Sequence, residues 1–220
     1  TEEHDPREDI DFLESELDMW YLDILEKGIE RYESGYHGAE RDVEADLAEQ
    51  MSAFGIGEDE LKQVILALEL PLDPEPWDED DRRRLAREIR IRTKPMVVAA
   101  NKMDTEAAQE NWETITTDPE YEHLTFVPVS AHAEKALKQG DEAGVLEYRP
   151  GDDGFEVTAD LPEEKEAGLE RVRGFLDEFG GTGVQRAVET ALFEELGAVA
   201  VFPGARKPQD DGTFLQDCFV

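Results

Sequence analysis

The tetrapeptide Asn101-Lys102-Met103-Asp104 places an amide, an ammonium and a carboxylate directly after an apolar run, residues 95–100. An apolar run of this length, followed by polar residues, is typical of a buried parallel strand that ends in a loop. Ligands of open α/β sheets bind at the carboxyl ends of the strands. The pattern therefore predicts a ligand-binding loop at residues 101–104.

A second apolar run, residues 125–129, ends in Ser130-Ala131. A strand followed by Asn-Lys-x-Asp, and a later strand followed by Ser-Ala, form the base-recognition half of guanine-nucleotide-binding domains. Asp104 would accept from N1–H and the 2-amino group of guanine, and the Ala131 N–H would donate to O6. Adenine has an acceptor at N1 and no 2-amino group. A site built for a hydrogen bond rejects an analogue that lacks it by up to about 10⁴–10⁵-fold.

The other motif residues have supporting roles in this interpretation. The aliphatic stem of Lys102 would lie along the base, with its ammonium near the ribose. Asn101 would tie the loop to a phosphate loop, and Ser130 would brace the turn at Ala131. Asn-Lys-Met-Asp is also a plausible turn by itself, because Asn and Asp favour turns. The interpretation therefore depends on the two preceding strands.

The phosphate-binding half of such a domain is not found in the sequence. No GxxxxGK[ST] pattern occurs, and the two Asp-x-x-Gly patterns, residues 141–144 and 177–180, follow the Asn-Lys-x-Asp instead of preceding it. The chain starts at Thr1 without a methionine and ends on an apolar segment. We expect a fragment with the phosphate-binding half upstream, and we assign no catalytic or metal-binding residue.

The composition is strongly acidic: 56 acidic and 22 basic residues give a formal net charge of −34, while 39% of the residues are hydrophobic. Acid alternates with apolar periodicity in every segment, unlike a blocky acidic tail. We expect a globular protein adapted to multimolar salt in a cytoplasm. Cys218 is the only cysteine, no apolar run has membrane-spanning length, and the four histidines show no metal-ligand spacing. An internal disulfide is excluded, and neither a membrane partner nor a metal site is predicted.

Apolar periodicity predicts four helices before residue 93. The first is capped by Asp5, starts at Pro6 and runs to about Ser34. Its apolar stripe would be Ile10, Leu13, Leu17, Trp20 and Ile24. Helices around residues 43–51 and 61–68 follow, and residues 71–76, with three prolines, form a stiff linker. Asp78 caps the fourth helix, whose arginines form i,i+4 pairs with nearby acid; contact with phosphate or RNA is the alternative.

After Arg92 the pattern becomes α/β. Helices are predicted near residues 106–115, 133–142, 162–179 and 184–196, and a last strand at 198–202. The cluster Gly180-Gly181-Thr182-Gly183 is interpreted as a helix stop and a new start capped by Thr182. The last helix would bury Val184, Ala187, Val188, Ala191 and Leu192.

Four segments of the chain resemble the motifs of a known family. The first comprises Asp5-Pro6, DIDFL at residues 9–13 and Glu16-Leu17. The others are TKPMVVAANKMD at 93–104, VPVSA at 127–131 and GTGVQ at 181–185. With them the chain resembles the YchF-type members of the Obg-like GTPase family, in the archaeal branch and in a halophilic version. The resemblance covers nearly the whole chain.

The resemblance implies an α/β fold: the C-terminal half of a P-loop GTPase (Rossmann-like) domain, preceded by an α-helical insert domain. The insert would span residues 1–76, the GTPase part 77–197, and a truncated TGS-type domain would start at 198–220. The nucleotide-binding residues would be Asn101, Lys102, Asp104, Ser130 and Ala131. GTP hydrolysis with Mg²⁺, held through the phosphate-loop half, and association with the large ribosomal subunit are implied for a longer cytoplasmic protein; no direct DNA binding is expected. Residues 1–220 alone are not expected to hydrolyse GTP.

Two alternatives remain open. Many YchF proteins carry an altered motif and prefer ATP, so an ATPase of the same family is one alternative, although the retained Asn101, Lys102 and Asp104 favour GTP. The other is a non-enzymatic helical adaptor with a degenerate α/β half. A phosphate loop and an Asp-x-x-Gly upstream of Thr1 would exclude the adaptor.

The net charge predicts that the fold depends on salt. The Debye length grows from about 3 Å at 1 M salt to about 10 Å at 0.1 M, so the acidic groups repel one another more strongly as salt is removed. We expect the helical circular dichroism and the melting temperature to fall between multimolar KCl and about 0.1 M KCl. An unchanged spectrum and melting temperature would show that the charge is incidental.

Overall fold

A computed structural model describes residues 5–34 and 43–201 of the chain. The chain divides into two compact units between Pro95 and Met96. The first unit is helical and the second contains helices and strands. Cys218, and the part of the predicted TGS-type segment beyond residue 201, lie outside the described residues. Within the described ranges, no helix is long and apolar enough to cross a membrane.

Helix α1, Pro6–Glu33, begins and ends as predicted. Asp5 Oδ1 accepts a hydrogen bond from Arg7 N–H at 3.0 Å, which satisfies one of the free donors of the first turn. Pro6 stands at the first helical position, where its missing N–H has no partner to lose. The Ser34 N–H donates to Glu30 O at 2.9 Å and closes the last turn.

The buried face of α1 is not the predicted stripe. Leu13 and Trp20 are 52% and 48% exposed. The prediction used only the spacing of apolar residues and therefore missed Glu14, a charged residue that is buried and pairs with Arg90. The true core face is rotated by about one residue, or about 100°, around the helix. Its buried residues are Glu14, Tyr21, Leu22, Leu25, Gly28 and Ile29.

Helices α2, Val43–Met51, and α3, Glu58–Ala67, pack with α1 as predicted. A Cβ on Gly28 of α1 would lie 2.8 Å from Leu47 Cδ2, so the glycine permits the close approach of α2. A turn with Gly55 at φ 82° lies between α2 and α3. The core residues of these two helices are Val43, Leu47, Ala48, Met51, Leu61, Val64 and Ile65.

The proline-rich residues 71–76 are not a linker between units, which corrects the sequence interpretation. Trp77 is 3% exposed, and its indole N–H donates to Pro71 O at 2.9 Å, so the core of the helical unit continues through Trp77 and ties this segment to it. Helix α4, Glu79–Thr93, then starts with the predicted cap on Asp78, which forms a capping box with Asp81. The compact unit extends to Pro95. The assignment of residues 1–76 and 77–197 to separate domains stays a prediction.

The exposed arginines of α4 form ion pairs within the helix, as predicted. Arg83 Nη2 lies 2.6 Å from Glu79 Oε1, and Arg92 Nε lies 2.9 Å from Glu88 Oε1. Both pairs have i,i+4 spacing, which contributes a few tenths of a kcal/mol, about 0.2–0.5, to a helix.

Arg90 is buried, with only 1% of its surface exposed. Its Nε donates to Asp18 Oδ1 at 2.7 Å, and its Nη2 lies 2.8 Å from Glu14 Oε1, although no N–H points along that line. Burial by itself lowers the pKa of Arg90, but the hydrogen bond to Asp18 and the negative charges of Asp18 and Glu14 outweigh it and raise the pKa above its ordinary value. The guanidinium therefore stays charged and joins α4 to α1.

The second unit contains the two strands predicted around the motifs. Strands β1, Val97–Ala100, and β2, Thr125–Pro128, pair in parallel with Val97 opposite Thr125 and Ala100 opposite Pro128. Helix α5, Glu106–Thr116, makes the crossover between them, and helix α6, Ala131–Glu142, follows β2. This is the α/β arrangement that the sequence predicts.

The segment after α6 departs from the prediction in part. A short antiparallel pair, β3 (Leu146–Glu147) and β4 (Glu156–Val157), follows α6, and neither strand was predicted. Helix α7, Glu163–Phe179, is formed as predicted.

The predicted last helix is split. Helix α8 covers Val184–Glu189, and the chain continues as a π-helix over Thr190–Glu195. Val188, which was predicted to be buried, is 56% exposed. Residues 198–200 have no regular structure, so the predicted strand 198–202 is wrong over these residues; Phe202 lies outside the described range.

The buried ion pair at Arg90 generates a stability prediction. Arg90→Met should destabilise the helical unit by about 3–5 kcal/mol, because the buried carboxylate of Glu14 and the carboxylate of Asp18 would lose the guanidinium charge. Urea unfolding in concentrated KCl, followed by tryptophan fluorescence, measures this change. Arg92→Met is the matched control, since its exposed pair should contribute at most about 1 kcal/mol. Equal effects of the two substitutions would show that Arg90 is not buried in solution.

Candidate functional site

Parallel pairing brings the ends of β1 and β2 to one edge of the sheet, and residues 101–104 and 130–131 with them. The Val129 N–H donates to Ala100 O at 2.9 Å, and the Met103 N–H donates to Val129 O at 3.1 Å. The two loops are therefore joined by backbone hydrogen bonds immediately beyond the paired strands. All five residues predicted as binding residues lie in these loops.

Met103, the variable position of the motif, anchors the first loop. Its side chain is 1% exposed and packs in one cluster with Leu137 and Phe175. Its carbonyl accepts a hydrogen bond from Gln109 Nε2 at 3.0 Å. The sequence analysis gave this residue no role, although an apolar side chain between two charged ones is the signal that could have identified it.

Lys102 adopts a left-handed backbone conformation, with φ 67°. Such values are uncommon for residues other than glycine and cluster at functional sites, with a strain of about 1–3 kcal/mol. The Thr105 N–H and hydroxyl both donate to Lys102 O at 2.9 Å and hold this turn. The Lys102 side chain is exposed and therefore available to a ligand.

The carboxylate of Asp104 is held by the second loop. The Ser130 hydroxyl donates to Asp104 Oδ1 at 2.8 Å, and the same oxygen of Ser130 accepts the Ala133 N–H at 3.1 Å as the cap of α6. Ser130 is fully buried, whereas Asp104 is exposed. Ser130 therefore fixes one oxygen of the Asp104 carboxylate; its predicted role in bracing the turn at Ala131 stays a prediction.

Asn101 and Ala131 contact each other across the two loops. The Ala131 N–H donates to Asn101 Oδ1 at 3.1 Å. The sequence analysis had assigned Asn101 to a phosphate loop and the Ala131 N–H to a ligand oxygen. In the structure the amide oxygen of Asn101 is the acceptor for that N–H.

A cavity of about 530 Å³ lies beside Asp104, and its lining includes Gln109, His132, Arg171 and Phe175. A more open cavity of about 770 Å³ lies against the β3–β4 pair, but none of its lining residues belongs to the motif. The smaller cavity is therefore the candidate ligand site, because the motif residue Asp104 lines it. No described cluster of three or more His, Cys, Asp or Glu side chains is arranged to hold a metal ion.

The sequence analysis missed a polar network behind the Ser130 turn. Thr182 was predicted to cap a helix, but Gly183 occupies the cap position of α8 and makes no side-chain cap. The Thr182 hydroxyl instead donates to Glu134 Oε2 at 2.7 Å, and Tyr148 Oη donates to the same oxygen at 2.7 Å. Burial and then the hydrogen bond to Glu134 raise the pKa of Tyr148 to about 12, so the phenol remains a donor.

The two loops lie in a part of the chain that matches a known protein family. Residues 99–205 match the model of the Obg-like GTPase YGR210-like, G4 motif-containing domain. The matched region contains both loops and the Thr182 segment.

Two archaeal proteins are similar over the whole chain. The uncharacterized GTP-binding protein MJ1332 of Methanocaldococcus jannaschii is 34% identical over 225 residues, which cover 100% of this chain and 56% of that protein. The crystal structure of a GTP-binding protein from Pyrococcus horikoshii OT3 matches with a TM-score of 0.71 at 34% identity, over 100% of this chain and 58% of that chain. This chain spans a little over half the length of each relative, and its fold is the α/β fold of a GTP-binding protein.

The left-handed conformation of Lys102 generates a test of the loop geometry. Lys102→Gly should be more stable than Lys102→Val by about 1–3 kcal/mol, because a β-branched residue is strained at positive φ. At Lys138, which is exposed within α6, the order should reverse, since glycine is the poorer residue in a helix. Thermal unfolding of the four variants in concentrated KCl provides the comparison. The same order at both positions would show that residue 102 does not adopt this conformation in solution.

Proposed function

We propose that the chain recognises the base of a guanine nucleotide, GTP or GDP, from the premise that residues 99–205 match the G4 motif-containing domain of the Obg-like GTPase type. The observation that carries the proposal is the pairing of Asp104 with Ser130, 2.8 Å apart, at the joined ends of β1 and β2. A carboxylate held in this way is preorganised to accept two neighbouring N–H donors.

The donor pattern favours guanine over adenine. Guanine presents N1–H and its 2-amino group side by side, and Asp104 can accept both on the face that Ser130 leaves open. Adenine would place the lone pair of N1 against the carboxylate, which leaves both groups without a donor. This argument disfavours an ATPase of the same family.

The Ala131 N–H is the complementary donor for guanine O6. In the structure it donates to Asn101 Oδ1 at 3.1 Å, so the base must replace Asn101 as the acceptor. This exchange retains one hydrogen bond of the same type, and the net change in free energy from the exchange alone is small. Asn101 then turns toward another partner, for which its amide has two donors and one acceptor.

Lys102 supplies the apolar wall of the site in this proposal. Its side chain is exposed, and its turn is fixed by Thr105. A four-carbon stem can cover one face of the base while the ammonium remains in water or near the ribose.

We further propose a YchF-type, salt-adapted, cytoplasmic GTPase as the longer protein, with residues 1–76 as its helical insert, 77–197 as part of its GTPase domain and 198–220 in a TGS-type domain. Its proposed partner is the large ribosomal subunit. The motif segments support this proposal. The two archaeal relatives support it as well, since each of them is longer than this chain. Residues 1–220 contain no GxxxxGK[ST] pattern, so they do not fit a Mg²⁺–phosphate site, and no step of hydrolysis is assigned to them.

Base selectivity tests the proposed function. In an NMR titration of residues 1–220 in concentrated KCl, binding should be weak, because base contacts supply only part of the affinity for a nucleotide. GDP should nevertheless bind at least about tenfold more tightly than ADP, a difference of about 1.4 kcal/mol. Asp104→Asn should weaken GDP binding and favour XDP, because the 2-oxo group of xanthine matches an amide donor.

Asp118→Asn is the matched control, since Asp118 caps the short turn Pro119–Tyr121, outside the motif. This variant should retain the preference of the wild type for GDP. Equal affinities for GDP and ADP in the wild type, or the same nucleotide preference in both variants, would contradict the proposed function.

A further inference from the structure

The segment Gly181-Thr182-Gly183 lies directly against the turn that carries Ser130 and Ala131. The Ser130 N–H donates to Thr182 O at 2.9 Å. Ser130 is therefore held on two sides, by Asp104 through its hydroxyl and by Thr182 through its backbone. The segment lies about 50 residues after the turn in sequence, and the motif pattern does not include it.

Thr182 is fixed in turn by a buried carboxyl group. Its side chain is 1% exposed, Glu134 is 9% exposed and Tyr148 is 8% exposed. The hydroxyls of Thr182 and Tyr148 both donate to Glu134 Oε2, each at 2.7 Å. A buried acceptor that loses a donor is left partly unsatisfied, which destabilises that arrangement. The network therefore favours a single position of Thr182.

Gly183 determines how closely the segment approaches β2. Its φ is 78°, and a Cβ built on it would lie 1.9 Å from Pro128 O. No side chain can occupy that space, so the residue must be glycine for the two backbones to remain in contact. The approach places Thr182 O within reach of the Ser130 N–H.

We propose that Thr182 is a positioning residue of the base-recognition site, held by Glu134 and Tyr148 so that its backbone fixes the Ser130–Ala131 turn. The inference rests on the proposed function, since it concerns the same guanine site. Thr182 does not touch the base. It acts by keeping the Ala131 N–H and the Ser130 hydroxyl at the separation that guanine O6 and Asp104 require.

The mechanism is geometric. A hydrogen bond weakens steeply when its angle falls below about 120°. A small rotation of the Ser130–Ala131 turn therefore weakens the hydrogen bonds to the base while the protein stays folded. Loss of the Thr182 hydroxyl should therefore reduce the preference for guanine more than it reduces stability. The effect should be specific to the base, because adenine does not use these contacts.

The test compares Thr182→Val, Thr182→Ser and the matched control Thr190→Val in residues 1–220 in concentrated KCl. Thr190 is a buried threonine whose hydroxyl reaches Glu194 Oε1 at 3.3 Å, outside the Ser130 turn. Two quantities are measured by NMR: the ratio of the ADP and GDP dissociation constants, and the hydrogen-exchange rate of the Ser130 amide. Thr182→Val should reduce the ratio at least fivefold and accelerate Ser130 exchange at least tenfold. Thr182→Ser and Thr190→Val should leave both close to wild type.

The outcomes separate this inference from the proposed function. Wild type that does not prefer GDP overturns the proposed function, and the positioning role with it. Wild type that prefers GDP, together with an unchanged ratio in Thr182→Val, overturns the positioning role alone. If Thr182→Val does not fold, Tyr148→Phe replaces it, since this variant removes one of the two donors to Glu134. A reduced ratio in Tyr148→Phe supports the inference, and an unchanged ratio overturns it.

Discussion

The α/β unit depends on one buried residue, Ser130. Its hydroxyl caps α6 and holds Asp104, and its N–H is taken by Thr182. The helix start, the exposed carboxylate and a segment distant in sequence are therefore positioned by the same few atoms. Parallel pairing of β1 and β2 brings the loops together, but Ser130 determines their relative orientation. A fully buried hydroxyl with these partners leaves little freedom for the groups around it.

The sequence predicted the parts of this architecture that have local signals. These signals each span only a few residues. They are the strand ends, the helix caps such as Asp5 and Asp78, and the spacing within each of the two motifs. The buried face of α1 was missed because the buried Glu14 pairs with Arg90, which is 76 residues away. Thr182 was misinterpreted for the same reason, since its partner Glu134 is distant in sequence. The pattern of apolar residues around Glu14 and Thr182 does not indicate the contact with Arg90 or the contact with Glu134.

The loop of Lys102 shows a different limit. A turn at Asn101–Asp104 could be predicted, but the positive φ of Lys102 is imposed by the burial of Met103 and the hydrogen bonds of Thr105. These interactions act together, and none of them alone identifies the strained residue. The sequence therefore predicts which residues occupy the ends of β1 and β2, while the conformation that presents them depends on packing.

The charge of the chain affects how any anionic ligand reaches this site. With a formal net charge of −34, long-range forces repel a nucleotide in dilute salt, whereas at about 1 M salt they are screened beyond about 3 Å. Recognition in concentrated salt then depends on groups at hydrogen-bonding distance. The contact between Asn101 and the Ala131 N–H has a kinetic consequence in this setting. The amide is tethered within reach of the donor and acts at a high effective concentration, so it can recapture the N–H whenever a bound base moves away. In the proposed guanine site, an internal competitor of this kind would shorten the residence time of the ligand and favour rapid exchange.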